Sequence, residues 1–179
     1  MADPVDHLDT VGDVVEALRG LGLEPVLVGG MALVVLGSRR VTRDFDFVIA
    51  HPGDRLVPTI DLFYDHGLEL VSRLNDVGEV TSTIANRKVA AIRLRVDAPA
   101  TAYFFDPETG LRIDLLFDFP IPAAMLAKHA TRTTIRSHVF EIASEADLLR
   151  LKRIAKAARS APGDAEDIAF LESRRKHFR

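Results

Sequence analysis

Two aspartates stand two positions apart, Asp44 and Asp46, at the start of an alternating run. Phe45, Phe47 and Ile49 fall on one face of it, and Asp44, Asp46 and Val48 on the other. That alternation predicts a half-buried strand over residues 44–50. Both carboxylates then project to one side, where their like charges repel unless a cation lies between them. An all-oxygen donor set, without His or Cys, suits a hard ion, Mg²⁺ or Mn²⁺. A third acid, Asp114, sits in the middle of Leu111-Arg-Ile-Asp-Leu-Leu-Phe117, on the face opposite Leu111, Ile113 and Leu115. If the two strands are neighbours, three carboxylates converge. Three can hold two ions about 3.5–4 Å apart, the spacing of two-metal phosphoryl chemistry.

Upstream, Gly29-Gly30 lies between a strand-like run, residues 25–28, and an apolar helical run, residues 31–36. Glycine there permits close backbone approach, and the free N–H groups of a helix start attract phosphate. Arg40 and Arg43 flank the aspartate pair, and Lys152 lies on a later helical run. Each could reach a phosphate. Taken singly, these signals have plainer readings: a tight turn, two solvated acids, an Asp facing water from an amphipathic strand, and arginines in a solvated loop.

The elements that would position these groups follow from periodicity. Val11, Val14, Val15, Leu18 and Leu21 recur at helical spacing, so residues 6–21 read as an amphipathic helix. A helix is expected over 52–66, short strands over 68–71 and 103–105, and a loop over 76–86. Residues 89–96 alternate and read as a strand, with Ala90, Ile92, Leu94 and Val96 on one face. Asp106-Pro-Glu-Thr-Gly110 has hairpin-turn chemistry ahead of the Asp114 strand. A helix is expected over 121–130 and a strand over 139–142. Ser144 is placed to cap a helix running to Ser160; Pro162-Gly163 breaks it, and a last helix spans 164–175. The expected division is an α/β core over 1–143 and a C-terminal helical segment, 144–179, packed on it.

Composition narrows the function classes. The chain has 179 residues, 47% of them hydrophobic and 27% charged, which is the size and make-up of one ordinary domain. It has no cysteine, which excludes disulfides, thiolate zinc sites and cysteine nucleophiles. No apolar run spans a bilayer and the acidic N-terminus is unlike a secretory signal, so a cytoplasmic protein without membrane partners is expected. There is no dinucleotide fingerprint, P-loop or nucleophile elbow, and the six histidines lack metal-ligand spacing. Residues 150–179 carry nine Lys/Arg against four Asp/Glu, a balance of +5 against −8 for the rest of the chain. A basic end of that kind can meet a polyanion or form a solvated helix face.

The order Gly29-Gly30, then Asp44-x-Asp46, then Asp114 resembles the nucleotidyltransferase superfamily with the DNA polymerase β-like fold, and more narrowly the small bacterial AbiEii-like and other minimal members. Ser144-Glu-Ala-Asp-Leu148, Lys152, Arg159 and Asp164-Ala-Glu-Asp-Ile168 resemble the C-terminal motifs of those relatives. The resemblance implies an α+β fold, a mixed sheet flanked by helices with a C-terminal helical pair. It implies Asp44, Asp46 and Asp114 as catalytic, metal-binding residues for Mg²⁺ or Mn²⁺. Gly29, Gly30, Arg40, Arg43 and Lys152 would bind the nucleoside triphosphate, ATP among the candidates. Asp167 would pair with a nearby Arg. The implied acceptors are the 3′ end of tRNA, slightly favoured by the basic end, a protein hydroxyl or a small molecule. A toxin role with an antitoxin partner fits the same relatives. One departure stands out: Gly30 occupies the position where the commoner signature has serine, so a hydroxyl near the phosphates is missing. A non-catalytic nucleotide-binding or protein-interaction module, and a metal-dependent nuclease, are the other readings.

Overall fold

A computed structural model of the chain describes residues 4–159, 161 and 163–177. The elements run α1 (Pro4–Gly20), β1 (Val26–Val28), α2 (Gly29–Val35), β2 (Asp44–Ile49), a 3₁₀ turn (Gly53–Arg55), α3 (Leu56–Asp65), β3 (Glu69–Leu74), β4 (Val80–Ile84), α4 (Arg87–Asp97), β5 (Thr101–Phe105), β6 (Arg112–Phe117), α5 (Ala123–Ala127), β7 (Thr131–Ile135), β8 (His138–Ile142), α6 (Glu145–Ala158) and α7 (Asp164–His177). The architecture is α+β. One eight-stranded mixed sheet has the order β4-β3-β5-β6-β2-β1-β8-β7. Its central pair, β2 and β6, is parallel, while β1 runs antiparallel to β2 and β5 antiparallel to β6.

Alternation along these strands sorts the side chains into two layers. Phe45, Phe47, Ile113, Leu115 and Phe104 face one way and are buried. There the Phe63 ring of α3 stacks on Phe104, with centroids 4.1 Å apart. Val11, Val14, Val15 and Leu18 of α1 are buried in the same core, as their helical spacing requires. The opposite layer carries Asp44, Asp46, Asp114 and Tyr103. Leu148 and Leu149 of α6 and Leu171 of α7 are buried in the same hydrophobic cluster as the sheet residues.

Several expectations need correction. The alternating stretch 89–96 is helical: α4 is capped by Asn86, whose side chain accepts the Lys88 and Val89 N–H groups, and it buries Ala90, Ala91 and Leu94. Its apolar residues satisfy a period of two and of 3.6 alike, and the cap decides between them. The stretch read as a loop contains β4, which pairs with β3 through the Asn75–Gly78 turn. β7 is a strand the hydropathy pattern does not mark, because Thr131-Arg-Thr-Thr-Ile135 is polar and lies at the sheet edge. The helix expected over 52–66 begins as the 3₁₀ turn and continues as α3, with Pro58 in its first turn, where the missing N–H costs nothing. α5 is shorter than expected, at five residues. Ser144 caps α6 as its position implies, accepting the Asp147 N–H at 3.1 Å. Ser160 and Pro162, expected at the break between the last two helices, lie outside the described residues.

Candidate active site

The parallel pairing of β2 with β6 sets Asp46 directly beside Asp114, and Asp44 beside Arg112. Residues in register point to the same face, so the three carboxylates share one face at the sheet centre; the sequence leaves this conditional on the two strands being neighbours. Tyr103, on the far side of β6, is in register with Asp114. Asp114 is buried, and Asp44 and Asp46 are half-buried.

The electrostatic consequence is strong. Burial, then the charges of Asp114 and Asp44 and a hydrogen bond with Asp114, push the Asp46 carboxyl up to about 7 against the opposing pull of Lys152. Burial also raises Asp114, tempered by Arg112. Arg112 and Lys152 only partly offset the three carboxylates, and the donors the cluster offers are all carboxylate oxygens. The residues therefore fit a hard divalent ion.

Two glycines make the closeness possible. Gly29 opens α2 at φ +70°, and a Cβ there would collide with Asp46 Oδ2. The position thus requires glycine twice over, for its backbone angle and for its contact. At Gly30 a Cβ would stand 3.1 Å from the Arg40 guanidinium carbon and 3.2 Å from Thr42 Oγ1. Arg40 and the Thr42 hydroxyl thus lie against the second glycine. The helix begins at Gly29, two residues earlier than its apolar pattern suggests.

Lys152 of α6 ion-pairs with Asp167 of α7 at 2.8 Å and approaches Asp164 at 3.7 Å. Arg40 ion-pairs with the same Asp167. Asp167 therefore ties two cations to the Gly29-Gly30 turn, and the Arg partner expected for it is Arg40. Asp164 Oδ2 is buried and lacks a hydrogen-bond partner among the described residues. Arg43 is exposed beside Asp44 and has no ion pair in this network among the described residues.

Sequence reading missed three contributors. Arg112 grips Asp114 with two hydrogen bonds of 2.8 and 3.1 Å, lies over the Tyr103 ring at 4.7 Å and donates to the Gly78 carbonyl at 2.9 Å. Its signal was present, since Arg112 and Asp114 share a strand face. Tyr103 and Thr42 had no signal without the pairing register and the loop path.

A second grouping, Asp13, Glu16 and His138, places ligand atoms within 4.8 Å of one another. It is separate from the carboxylate triad. His138 shares a strand face with Ile142, which pairs with Leu27, which pairs with Phe47 on the side away from Asp46. The His138 ring lies under Gly12 between Glu16 and Asp9, a meeting with acids of α1 that sequence spacing does not show.

The mixed sheet and its flanking helices have the fold of solved nucleotidyltransferase-like structures. The chain matches no protein-family model and no curated protein sequence. Among solved structures it is similar to an antigenic nucleotidyltransferase-like protein from Paracoccidioides brasiliensis, with TM-score 0.57 and 18% identity over 93% of this chain and 75% of that one. It is also similar to the antibiotic-resistance factor ANT(2″)-Ia, with TM-score 0.61 and 10% identity over 96% and 85% of the two chains. The lincosamide antibiotic adenylyltransferase LnuA, in its lincomycin-bound form, aligns with TM-score 0.56 and 13% identity over 92% and 96%.

Proposed function

We propose that the chain is a Mg²⁺- or Mn²⁺-dependent nucleotidyltransferase that moves a nucleoside monophosphate from a nucleoside triphosphate to a hydroxyl. The observation that carries this reading is the in-register pairing of Asp46 with Asp114, with Asp44 on the same face, and Asp46 pressed against Gly29. Asp44, Asp46 and Asp114 would hold the divalent ions. Bound there, the ions would supply charge neutralisation on the phosphates and a lowered barrier to deprotonating the acceptor.

The chain's own residues account for the rest. Gly29 and Gly30 let the phosphates approach the backbone at the start of α2. Lys152 and Arg40, now neutralised by Asp167, supply positive charge to the leaving pyrophosphate; Arg43 is a further cation at the rim. Thr42 offers a hydroxyl beside Gly30, where the usual signature would carry one on serine. Asp114, at the edge of the cluster next to Tyr103, is placed to receive or position the proton of the attacking hydroxyl. That hydroxyl oxygen bonds to the α-phosphorus as the bond from that phosphorus to the bridging oxygen breaks, and pyrophosphate leaves with that oxygen and the electron pair. Most of the acceleration in such a site is positional and electrostatic.

The acceptor reading favours the 3′ end of tRNA, on the +5 balance of residues 150–179, over a protein hydroxyl or a small molecule. Toxin activity held in check by an antitoxin is the biological setting proposed with it, in the cytoplasm. No helix of the described residues is long and apolar enough to cross a membrane.

The test is label transfer. The protein is incubated with Mg²⁺, each α-³²P nucleoside triphosphate in turn and a whole-cell extract, then RNA and protein are separated. Label on a macromolecular or small-molecule product, abolished by Asp46→Asn, is expected. Nucleotide binding without turnover across all acceptors would instead favour a non-catalytic binding module, and cleaved RNA released without nucleotide would favour a nuclease.

A further inference from the structure

α4 carries an exposed apolar stripe and two cations, Lys88 and Arg95, that no ion pair among the described residues engages. Its exposed side holds Val89, Ile92 and Val96, which are 49%, 61% and 75% exposed. The three stand at i, i+3 and i+7, one continuous stripe along the helix. All are β-branched, a type that lowers helix propensity, so they stabilise neither the helix nor the core. Arg87 and Lys88 occupy the first turn, where cations oppose the positive end of the helix dipole. Arg87 is committed to Asp61 and Asp65 of α3, and Arg93 to Asp97. Lys88 and Arg95 are exposed and lie together along one edge of the stripe.

The local charge sets the class of partner. Four cations fall between residues 87 and 95 without an acid, inside the part of the chain that sums to −8 with them included. A second copy of α4 laid antiparallel on the stripe would bring Lys88 against Arg95 at both ends, so self-pairing meets like charges. Nucleic acid has no use for an aliphatic stripe, and the absence of Trp, Phe or Leu from the exposed side is unlike a bilayer-seeking helix. We infer that α4 is a docking surface for an acidic amphipathic helix of a protein partner, its apolar edge on Val89, Ile92 and Val96 and its carboxylates on Lys88 and Arg95. Such a partner would also relieve the unfavourable first turn of α4. It would leave the carboxylate triad open, because α4 packs on α3, whose Phe63 stacks on Phe104 on the sheet face opposite Asp114. The inference is independent of the proposed reaction.

The probe is a fluorescein-labelled designed helical peptide with leucines at i, i+3, i+4 and i+7 and glutamates beside them, titrated against the full chain by anisotropy. Saturable binding is expected, weakened at least tenfold by Ile92→Lys and by the pair Lys88→Glu with Arg95→Glu. The charge-reversed pair should instead accept a peptide whose glutamates are replaced by lysines, which a merely unfolded variant would not do. Circular dichroism of these surface variants should match the parent. Absence of saturable binding, or binding that Ile92→Lys leaves unchanged, overturns the inference. So does a dimer by light scattering that Ile92→Lys dissociates, or cosedimentation with phosphatidylglycerol vesicles that Ile92→Lys abolishes while peptide binding is absent.

Discussion

Gly29 and Asp46 are a matched pair of residues, and each can be tested through the other. Gly29 has φ +70° and no room for a Cβ beside Asp46 Oδ2. Gly29→Ala should therefore cost about 1–2 kcal/mol from the backbone angle alone. It should also turn Asp46 away and remove the gain in melting temperature that Mn²⁺ gives the parent; differential scanning fluorimetry with and without Mn²⁺ reads both effects. The raised Asp46 carboxyl makes a second prediction. An acid held at about 7, against an ordinary 3.8, keeps a proton in the folded chain that the unfolded chain has already lost. Folding stability from this group is thus fully present below pH 4 and falls as pH rises towards 7. The loss is on the order of a few kcal/mol at most. Asp46→Asn should be more stable than the parent at pH 8 without divalent ions and lose that advantage near pH 4, in urea titrations at the two pH values. Added Mg²⁺ or Mn²⁺ should narrow the gap at pH 8 by stabilising only the parent.

At the scale of elements, the loop between α2 and β2, α6 and α7 meet at Asp167. Lys152 and Arg40 both lean on that carboxylate, which is buried. Asp167→Asn should destabilise the chain by about 1.5–3 kcal/mol, because it removes the buried carboxylate that accepts charged hydrogen bonds from Lys152 and Arg40. If the two cations serve a triphosphate, ATP with Mg²⁺ should raise the melting temperature of the variant more than that of the parent. Equal shifts would assign Lys152 and Arg40 to the fold alone. The elements also mark the limits of sequence reading. β2 and β6 were legible because strict alternation separates aromatic and aliphatic residues from Asp44, Asp46 and Asp114. Ser144 was legible as a cap because a local side-chain bond places it. α4 was not, since Ala90, Leu94 and their neighbours fit both periods, and only the Asn86 cap and the packing on α3 choose. β4 and β7 were hidden because an edge strand need bury little. Arg112 and Tyr103 became visible as site residues only through register, a property of two strands together.

For the whole molecule, the question is whether the C-terminal pair is an addition to the sheet domain or part of it. Leu148, Leu149 and Leu171 are buried in the same cluster as Val28, Leu33 and Phe47. Polar contacts tie the same regions: Arg174 donates to the Leu36 carbonyl at 2.9 Å, and Asp167 holds Arg40. Burying each leucine is worth roughly 1.5–3 kcal/mol, so three approach the total stability of about 5–15 kcal/mol typical of a domain. A chain ending at residue 143 would also lose the Arg174 bond to the Leu36 carbonyl and give up Lys152 from the site. It should therefore fail to fold, with no cooperative urea transition and aggregation on concentration, whereas the full chain should unfold in a single step by circular dichroism and by tyrosine fluorescence alike. Two separated transitions in the full chain, or a folded 1–143 fragment with an unchanged midpoint, would make the basic end a movable appendage. The phosphate role of Lys152 would then require docking, and nucleotide affinity would depend on how often the pair is closed.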